Sequence, residues 1–114
     1  MKKINIIKKT QEFEKIIKYR HHYSNRFFVV YIMKKQQKYY RFGISIPKKV
    51  GNSVMRNKTK RQVKSILDHI NFNKELDYVI IVRKEMIDLN YNDKVENLES
   101  LLTKIDGAWN SEKI

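Results

Sequence analysis

A run of cations recurs at helical spacing near the middle of the chain. Arg56, Lys60 and Lys64 stand four residues apart, so a helix would carry them on one face. Like charges at this spacing repel by about 0.3 kcal/mol per pair in an isolated helix, and an anionic partner would reverse that sign. Arg offers a bidentate fork to phosphate, and the amide of Asn57 can both donate and accept. The pattern favours a nucleic-acid contact over the alternative, a solvated basic face.

Other residues with reactive side chains show no catalytic arrangement. His21 and His22 are adjacent in a predicted loop, and no spacing places His69 beside them for acid–base cleavage of RNA. The acidic residues after position 87 lack a converging ligand pattern and are typical of a solvated face. We therefore predict no catalytic residue and no metal site in the protein itself.

Charge is distributed unevenly along the chain. The 114 residues carry 25 Lys and Arg against 12 Asp and Glu, for a net charge of +13. Residues 1–67 hold nineteen cations and two anions, whereas residues 68–114 hold six cations and ten anions. Self-repulsion in the first segment is relieved when a polyanion neutralises it, and nucleic acid is the commonest such partner. An anionic membrane surface is the rival partner at this point.

Composition predicts one globular domain over residues 1–114. Hydrophobic residues make up 41% and aromatic residues 11%, which excludes a disordered chain. The absence of Cys excludes disulfides, a thiol nucleophile and a Cys-based zinc site, and the apolar runs are too short to span a membrane. We expect a soluble cytoplasmic protein with a loosely held basic N-terminal arm over residues 1–9 and a flexible tail over residues 107–114.

The first half of the chain predicts a short helix and two strands. Thr10 is a suitable N-cap for an amphipathic helix over residues 10–19. Residues 27–32 and 39–46 are rich in β-branched and aromatic side chains, as strands are. The polar residues between them predict a hairpin.

The second half predicts a long helix, a strand and a final helix. Pro47 ends the preceding strand, and Ser53 is predicted to cap a helix that runs to about Asn71. The apolar stripe of this helix lies on a different face from its cations and comprises Val63, Ile66, Leu67 and Ile70. The remaining elements are a buried strand over residues 77–83 and a helix over residues 93–105. The order is α, β, β, α, β, α, with room for one further short strand.

Residues 41–61 read RFGISIPKKVGNSVMRNKTKR and closely resemble the signature of the bacterial ribonuclease P protein component. In that family a strand ending in G-[IL]-S-[VI] leads through a K-K-x-G-N-A-V turn into a helix that opens R-N-x-x-K-R. The likeness includes the flanking segments 8–13, 25–31 and 77–83, and it covers about residues 6–105.

The resemblance implies a fold and an activity. The fold is an α+β, αββ(β)αβα sandwich with a mainly antiparallel four-stranded sheet and a left-handed β-α-β crossover, like the second domain of ribosomal protein S5. The activity belongs to a ribonucleoprotein whose RNA is the catalyst, and the protein is its non-catalytic subunit. The complex removes the 5′ leader of precursor tRNA by hydrolysing one phosphodiester bond, with Mg²⁺ bound mainly by RNA.

The resemblance also implies two binding surfaces. The face that contacts ribonuclease P RNA carries over to Arg56, Asn57, Lys58, Lys60, Arg61 and Lys64. The cleft that binds the single-stranded leader carries over to Phe13, Ile17, Tyr31, Lys48, Lys49 and Arg56. Aromatic rings stack on bases with little sequence preference, while Lys and Arg follow the phosphates. Strand alternation places Tyr31 on the same face as Val29, and either face could be the exposed one.

This sequence departs from the family pattern at three positions. Ile17 stands where a second aromatic residue is frequent, and it can pack against a base but cannot stack. Lys64 stands where Arg is usual, which keeps the charge but loses the planar fork. Ser53 replaces a small Ala in the turn.

The expected partners are ribonuclease P RNA and precursor tRNA, with neither a membrane nor a small-molecule substrate. Three alternatives stay open at this stage. A structural RNA-binding protein would use the basic helix only as an anchor, a protein-only nuclease would cleave RNA without an RNA subunit, and a DNA-binding module would be consistent with the charge. The charge pattern does not define a groove or half-site geometry for DNA.

Overall fold

The computed structural model describes residues 2–113, with side chains described through residue 110. The helices are α1 (Thr10–Lys18), α2 (Ser53–Leu67) and α3 (Tyr91–Lys113). The strands are β1 (His22–Ser24), β2 (Phe28–Lys34), β3 (Arg41–Ser45) and β4 (Leu76–Val82). Short 3₁₀ helices cover Lys3–Asn5, Lys48–Val50 and Lys84–Asp88. The predicted order of elements is confirmed, and β1 is the further short strand.

The four strands form a mixed sheet in the order β1-β2-β4-β3. The β1/β2 and β2/β4 pairs are antiparallel, whereas β3 and β4 are parallel and are connected through α2. The predicted hairpin between β2 and β3 is wrong, because β4 lies between them. Six of the seven β4 side chains are buried, as expected of a strand that occupies the centre of a sheet covered on both faces. The left-handed sense of the crossover stays a prediction.

One face of the sheet packs against α2 and α3 and forms the main core. Alternate residues of β2 point into it, together with the apolar stripe of α2 and one face of α3. Phe42 of β3 stacks on Tyr78 of β4 with their ring centroids 4.6 Å apart. The hydroxyl of Tyr78 donates to the Asn73 carbonyl and accepts from the Asn73 amide, both at 2.9 Å. Burial raises the pKa of this hydroxyl.

The other face packs against α1 and forms a smaller cluster. Its buried members are Ile7, Ile16, Met33 and Val79, and its partly exposed members are Phe13, Ile17, Tyr31 and Ile81. Two layers of helix therefore enclose one sheet, but they cover its two faces unequally.

The N-terminal segment is held against the sheet, so the prediction of a loosely held arm is wrong for the residues that the structure describes. Ile7 is 4% exposed, and its amide donates to the Phe42 carbonyl at 2.8 Å. The side chain of Asn5 donates to the Tyr40 carbonyl at 2.7 Å. Strand β3 is the edge of the sheet, and its backbone groups are free to pair with this segment.

Helix ends differ from the predictions by a few residues. Lys9, not Thr10, occupies the N-cap of α1. Helix α2 is capped by Asn52, whose Oδ1 accepts from the Met55 amide at 2.9 Å, and Ser53 is the first helical residue. This helix ends at Leu67, short of the predicted end. Helix α3 is longer than predicted, and residues 107–113, assigned to a flexible tail, lie within it.

Candidate nucleic-acid interface

A straight row of residues crosses all four strands on the face beneath α1. Gly43 of β3 pairs with Val79, Val79 pairs with Tyr31, and Tyr31 pairs with His22 of β1. Directly opposed residues in neighbouring strands project to the same face, and strands lie about 4.8 Å apart. The row from Gly43 to His22 is therefore about 14 Å long and perpendicular to the strands.

Phe13 of α1 lies over the glycine end of this row. A Cβ atom built at Gly43 would lie 2.7 Å from Cε1 and from Cζ of the Phe13 ring, closer than van der Waals contact allows. Only glycine lets the ring sit this close to β3. The ring is half-buried, as are Ile17 and Tyr31 in the same cluster. The structure thus brings together three predicted cleft residues and identifies the α1 face as the one on which Tyr31 and Val29 lie.

A partly buried ionic network fixes the start of α1 above the sheet. The guanidinium of Arg41 pairs with the Glu12 carboxylate and, at 3.2 Å, with Oδ2 of Asp77. The side-chain amide of Gln37 donates to Oδ1 of Asp77 at 2.8 Å, and Asp77 is 1% exposed. Glu12 precedes Phe13, so the network also positions that ring. Sequence reasoning missed it, although an Asp at the start of a buried apolar strand was a usable signal.

The same face continues into a pocket with cations at its rim. The pocket has a volume of about 420 Å³, and Val29 and Ile81 line it from the sheet. Three cations and one carboxylate also line it, namely Lys49, Arg83, Lys84 and Glu85, and of these Lys49 is a predicted cleft residue. Lys48 is exposed on the same 3₁₀ turn. Lys84 was not predicted as a cleft residue. The only feature of the sequence that could have indicated it is its position just after a buried strand.

Arg56 lies on the other side of β3. It lines a pocket of about 310 Å³ with Asn57 and Lys60, against Ile44 and Ile46. These two isoleucines pack toward the main core, so this pocket opens on the α2 face. The structure therefore groups Arg56 with two other residues of the predicted RNA face and does not bring it beside Phe13, Ile17 or Tyr31.

The Arg56 guanidinium is only partly satisfied within the protein. One terminal nitrogen, Nη2, donates to Ser53 Oγ at 3.3 Å. Its Nε is buried and has no hydrogen-bond partner among the described residues. An arginine held at the start of α2 with donor groups to spare is suited to an oxygen-rich anionic ligand.

The rest of the predicted RNA face divides along α2. Arg61 is exposed and Lys64 is half-buried, and helical spacing places both near Lys60. Lys58 is two residues from Lys60 and thus lies on nearly the opposite side of the helix, toward Lys94 of α3.

Lys94 is buried at the contact between α2 and α3. It is 7% exposed, and its ammonium donates to Oε1 of Gln62 at 3.0 Å. Burial lowers the pKa of Lys94, and the positive charge of Lys58 lowers it further. Among the cations predicted for the RNA face of α2, Lys58 thus lies toward α3, and Arg56, Lys60, Arg61 and Lys64 share the other flank.

His22 and His69 lie in different parts of the fold. His22 lies in β1, so its assignment to a loop is wrong. His69 follows the end of α2, where its Nδ1 contacts the Ser65 carbonyl at 2.8 Å. Among the described residues, no three or more His, Cys, Asp or Glu side chains are grouped so that they could hold a metal ion. No helix within residues 2–113 is both long enough and apolar enough to cross a membrane.

Comparison with known proteins assigns the family. The family model for ribonuclease P matches residues 1–106. The ribonuclease P protein component of Mycoplasma mycoides is 39% identical over 109 residues, which cover 92% of this chain and 99% of that protein. The ribonuclease P protein of Staphylococcus aureus has 34% identity and a TM-score of 0.81, covering 89% of this chain and 94% of that chain. The protein from Thermotoga maritima has 30% identity and a TM-score of 0.78, covering 86% and 94%.

The fold is thus shared with protein subunits of an RNA-processing enzyme. The chain belongs to the ribonuclease P protein family, which supplies the protein subunit of ribonuclease P in the processing of tRNA 5′ ends.

Proposed function

We propose that the protein binds the 5′ leader of precursor tRNA with one face of its sheet and ribonuclease P RNA with helix α2. The observation that carries this proposal is the separation of two basic surfaces across β3. One surface combines half-buried rings with lysines, and the other combines Arg56 with neighbouring polar and cationic side chains of α2.

The cleft suits a single-stranded leader because it offers both components of non-specific recognition. Phe13 and Tyr31 present partly exposed rings on which bases can stack. Ile17, one turn of α1 after Phe13, offers an apolar surface against which a base can pack. Lys48 and Lys49 supply charge for the phosphates at the end of the sheet where β3 ends. Arg56 contributes to this cleft only if the RNA passes around the edge strand β3, since its own pocket opens on the α2 face.

The surface of α2 suits a folded RNA. Arg56, Asn57, Lys60, Arg61 and Lys64 follow one flank of the helix, and no acidic residue occurs between residues 15 and 67. Lys58 would contact RNA on the α3 side of the same helix. Each phosphate contact releases bound counterions, so affinity for the RNA should fall steeply with salt.

We further propose that the protein contributes no catalytic group and that Mg²⁺ is held mainly by RNA. Apart from the amide oxygen of Asn57 and the carboxylate of Glu85, which line different pockets, the two surfaces offer ammonium and guanidinium groups, which cannot bind Mg²⁺. The carboxylates of Glu12 and Asp77 are already paired with Arg41. The protein acts by position and charge: it holds the leader and screens repulsion between two RNAs, which lowers the Mg²⁺ concentration required. We place this activity in the cytoplasm.

The family assignment also supports the finer features of the fold as proposals. These are the left-handed crossover through α2 and the likeness to the second domain of ribosomal protein S5.

Cleavage of 5′-labelled precursor tRNA at low Mg²⁺ tests both surfaces. A bacterial ribonuclease P RNA is assayed with the wild-type protein, with Phe13→Ala and with Arg56→Ala plus Lys60→Ala. Lys104→Ala serves as the control because that lysine is exposed on α3. We expect wild type and control to restore cleavage equally. Phe13→Ala should weaken substrate binding by about tenfold only when the leader is present, and the double variant should weaken RNA binding and reduce its salt dependence.

Different failures support different alternatives. If the protein binds the RNA but leaves the Mg²⁺ requirement and leader affinity unchanged, a structural RNA-binding role replaces the proposed one. If the protein cleaves precursor tRNA without RNA, the protein-only nuclease is correct and the assignment of catalysis to RNA is wrong.

A further inference from the structure

His22 lies beside Tyr31 at the outer end of the row that crosses the sheet. The two residues are directly opposed in the antiparallel β1/β2 pair, so their side chains share the α1 face. Their ring centroids are 5.0 Å apart and the ring planes are inclined by 39°. His22 is exposed and Tyr31 is half-buried. The imidazole therefore forms a second, solvent-accessible ring surface next to the tyrosine.

The position of this ring matters because of what α1 lacks. Phe13 supplies an aromatic ring at the β3 end of the row, where it lies over Gly43. One turn later α1 presents Ile17, which cannot stack on a base. If β1 carried a small residue opposite Tyr31, no ring would lie beyond Tyr31 at that end of the row. In this chain β1 instead carries His22, so rings occur at both ends of the row.

We propose that His22 is a further leader-binding residue, which extends the ring surface of Tyr31 onto β1 and binds an unpaired nucleotide of the RNA. This inference rests on the proposed function of the cleft. A nucleotide placed against Tyr31 meets the imidazole on its outer side, where a five-membered ring can contact a base and its nitrogens can bond to a ribose or phosphate oxygen. Because the two ring planes are inclined by 39°, they form a shallow angle and not one flat stacking surface.

The competing account is that the pair merely stabilises the sheet. Ring pairs across antiparallel strands do stabilise neighbouring strands, and β1 is only three residues long. That account predicts a loss of stability without any dependence on the leader. The two accounts are therefore separable if binding and stability are measured on the same variants.

The test uses the reconstituted holoenzyme and precursor tRNAs with either a single-nucleotide leader or a longer one. His22→Ala removes the ring, and His22→Phe keeps a ring. His21→Ala is the matched control, because the His21 ring pairs with Tyr23, whose side chain packs toward the main core on the other face. Dissociation constants are measured for both substrates, and thermal unfolding is measured for each protein.

We expect His22→Ala to weaken binding of the long-leader substrate about fivefold and to leave the short-leader substrate unchanged. His22→Phe should restore most of the loss, and His21→Ala should show none. If Phe13→Ala shows the leader-dependent loss but His22→Ala does not, the assignment of His22 is wrong while the cleft stands. If neither variant affects long-leader binding, the proposed cleft is wrong, and His22 has no role in it.

Discussion

The two faces of the sheet are built from the same strands but are covered very differently. On the face toward α2 and α3, Phe28, Val30 and Ile32 of β2 are at most 1% exposed. On the face toward α1, Val29 and Tyr31 of the same strand are half-buried. Both faces are apolar, so residue type alone does not explain the difference.

Helix length does explain it. Helix α1 has nine residues and is about 14 Å long, whereas α2 and α3 have 15 and 23 residues and are about 22 and 34 Å long. Two long helices close most of one face, and one short helix leaves a larger part of the other face open. The closed face supplies most of the stability, while the open face keeps rings available to a ligand.

The largest expected effect comes from removing a ring from the closed face, and the matching change on the α1 face should have a much smaller one. Phe28→Ala should lower the free energy of unfolding by about 3–5 kcal/mol, because it leaves a cavity in the closed core. Phe13→Ala should cost about 1–2 kcal/mol, because that ring is already half-exposed. Urea unfolding of the two variants measures both values. Equal costs would mean that the α1 face is a second closed core, which contradicts the comparison.

A somewhat smaller effect is expected where α1 is tied to the sheet. Arg41→Ala leaves the buried carboxylate of Asp77 without its cation and should cost about 3 kcal/mol. Asp77→Asn in the same protein should recover part of this loss, because the unpaired charge is then gone. Arg61→Ala, at an exposed cation, should change stability by less than about 0.5 kcal/mol. If Arg41→Ala lost as little stability as Arg61→Ala, the network would not be what holds α1.

Overpacking beneath Phe13 tests the open face directly. Gly43→Ala introduces a Cβ that meets the ring at 2.7 Å, so it should destabilise by about 1–3 kcal/mol and push the ring outward. No glycine among the described residues has positive φ, so contact and not backbone strain carries this effect. In Phe13→Ala protein the same substitution should be almost neutral. A double-mutant cycle measures this coupling, and additive costs would contradict it.

The smallest effect concerns the start of α2, which closes the other face. Asn52→Ala removes the side-chain acceptor for the Met55 amide and should cost about 1 kcal/mol. Ser53→Ala should change stability by only a few tenths of a kcal/mol, because Ser53 is already inside the helix. Thermal unfolding compares the two variants. If Ser53→Ala cost more stability than Asn52→Ala, Ser53 would be the N-cap.

Local features were predictable because they depend on neighbouring residues. The periodicity of α2 and the apolar run of β4 identified both elements correctly, with ends shifted by a few residues. The N-cap of α2 was predicted one residue late, at Ser53 instead of Asn52. The choice between two adjacent polar residues depends on backbone angles at the turn, which the sequence pattern does not show. The pairing of β2 with β4 was not predicted, because a hairpin is the shortest connection between β2 and β3, and strand pairing depends on packing between segments that are distant in the chain.

The site shows the same division. Residue types and the resemblance named Phe13, Ile17 and Tyr31, and the structure groups them. Arg56 was expected in the same cleft. Its pocket instead lies on the other face of the sheet, because Ile44 and Ile46, which line that pocket, pack toward the main core. The Glu12–Arg41–Asp77 network was missed because its members are far apart in the chain.

The amino-acid sequence by itself determined the helices, the strands, the excess of cations before residue 68 and the family to which the chain belongs. These follow from side-chain chemistry and spacing along the chain. Only the tertiary structure decided that Gly43, Val79, Tyr31 and His22 form one row, that Asp77 is paired below α1, and that the two basic surfaces lie on opposite sides of β3. Strand order and register bring these residues together, and both result from packing between segments that are distant in sequence.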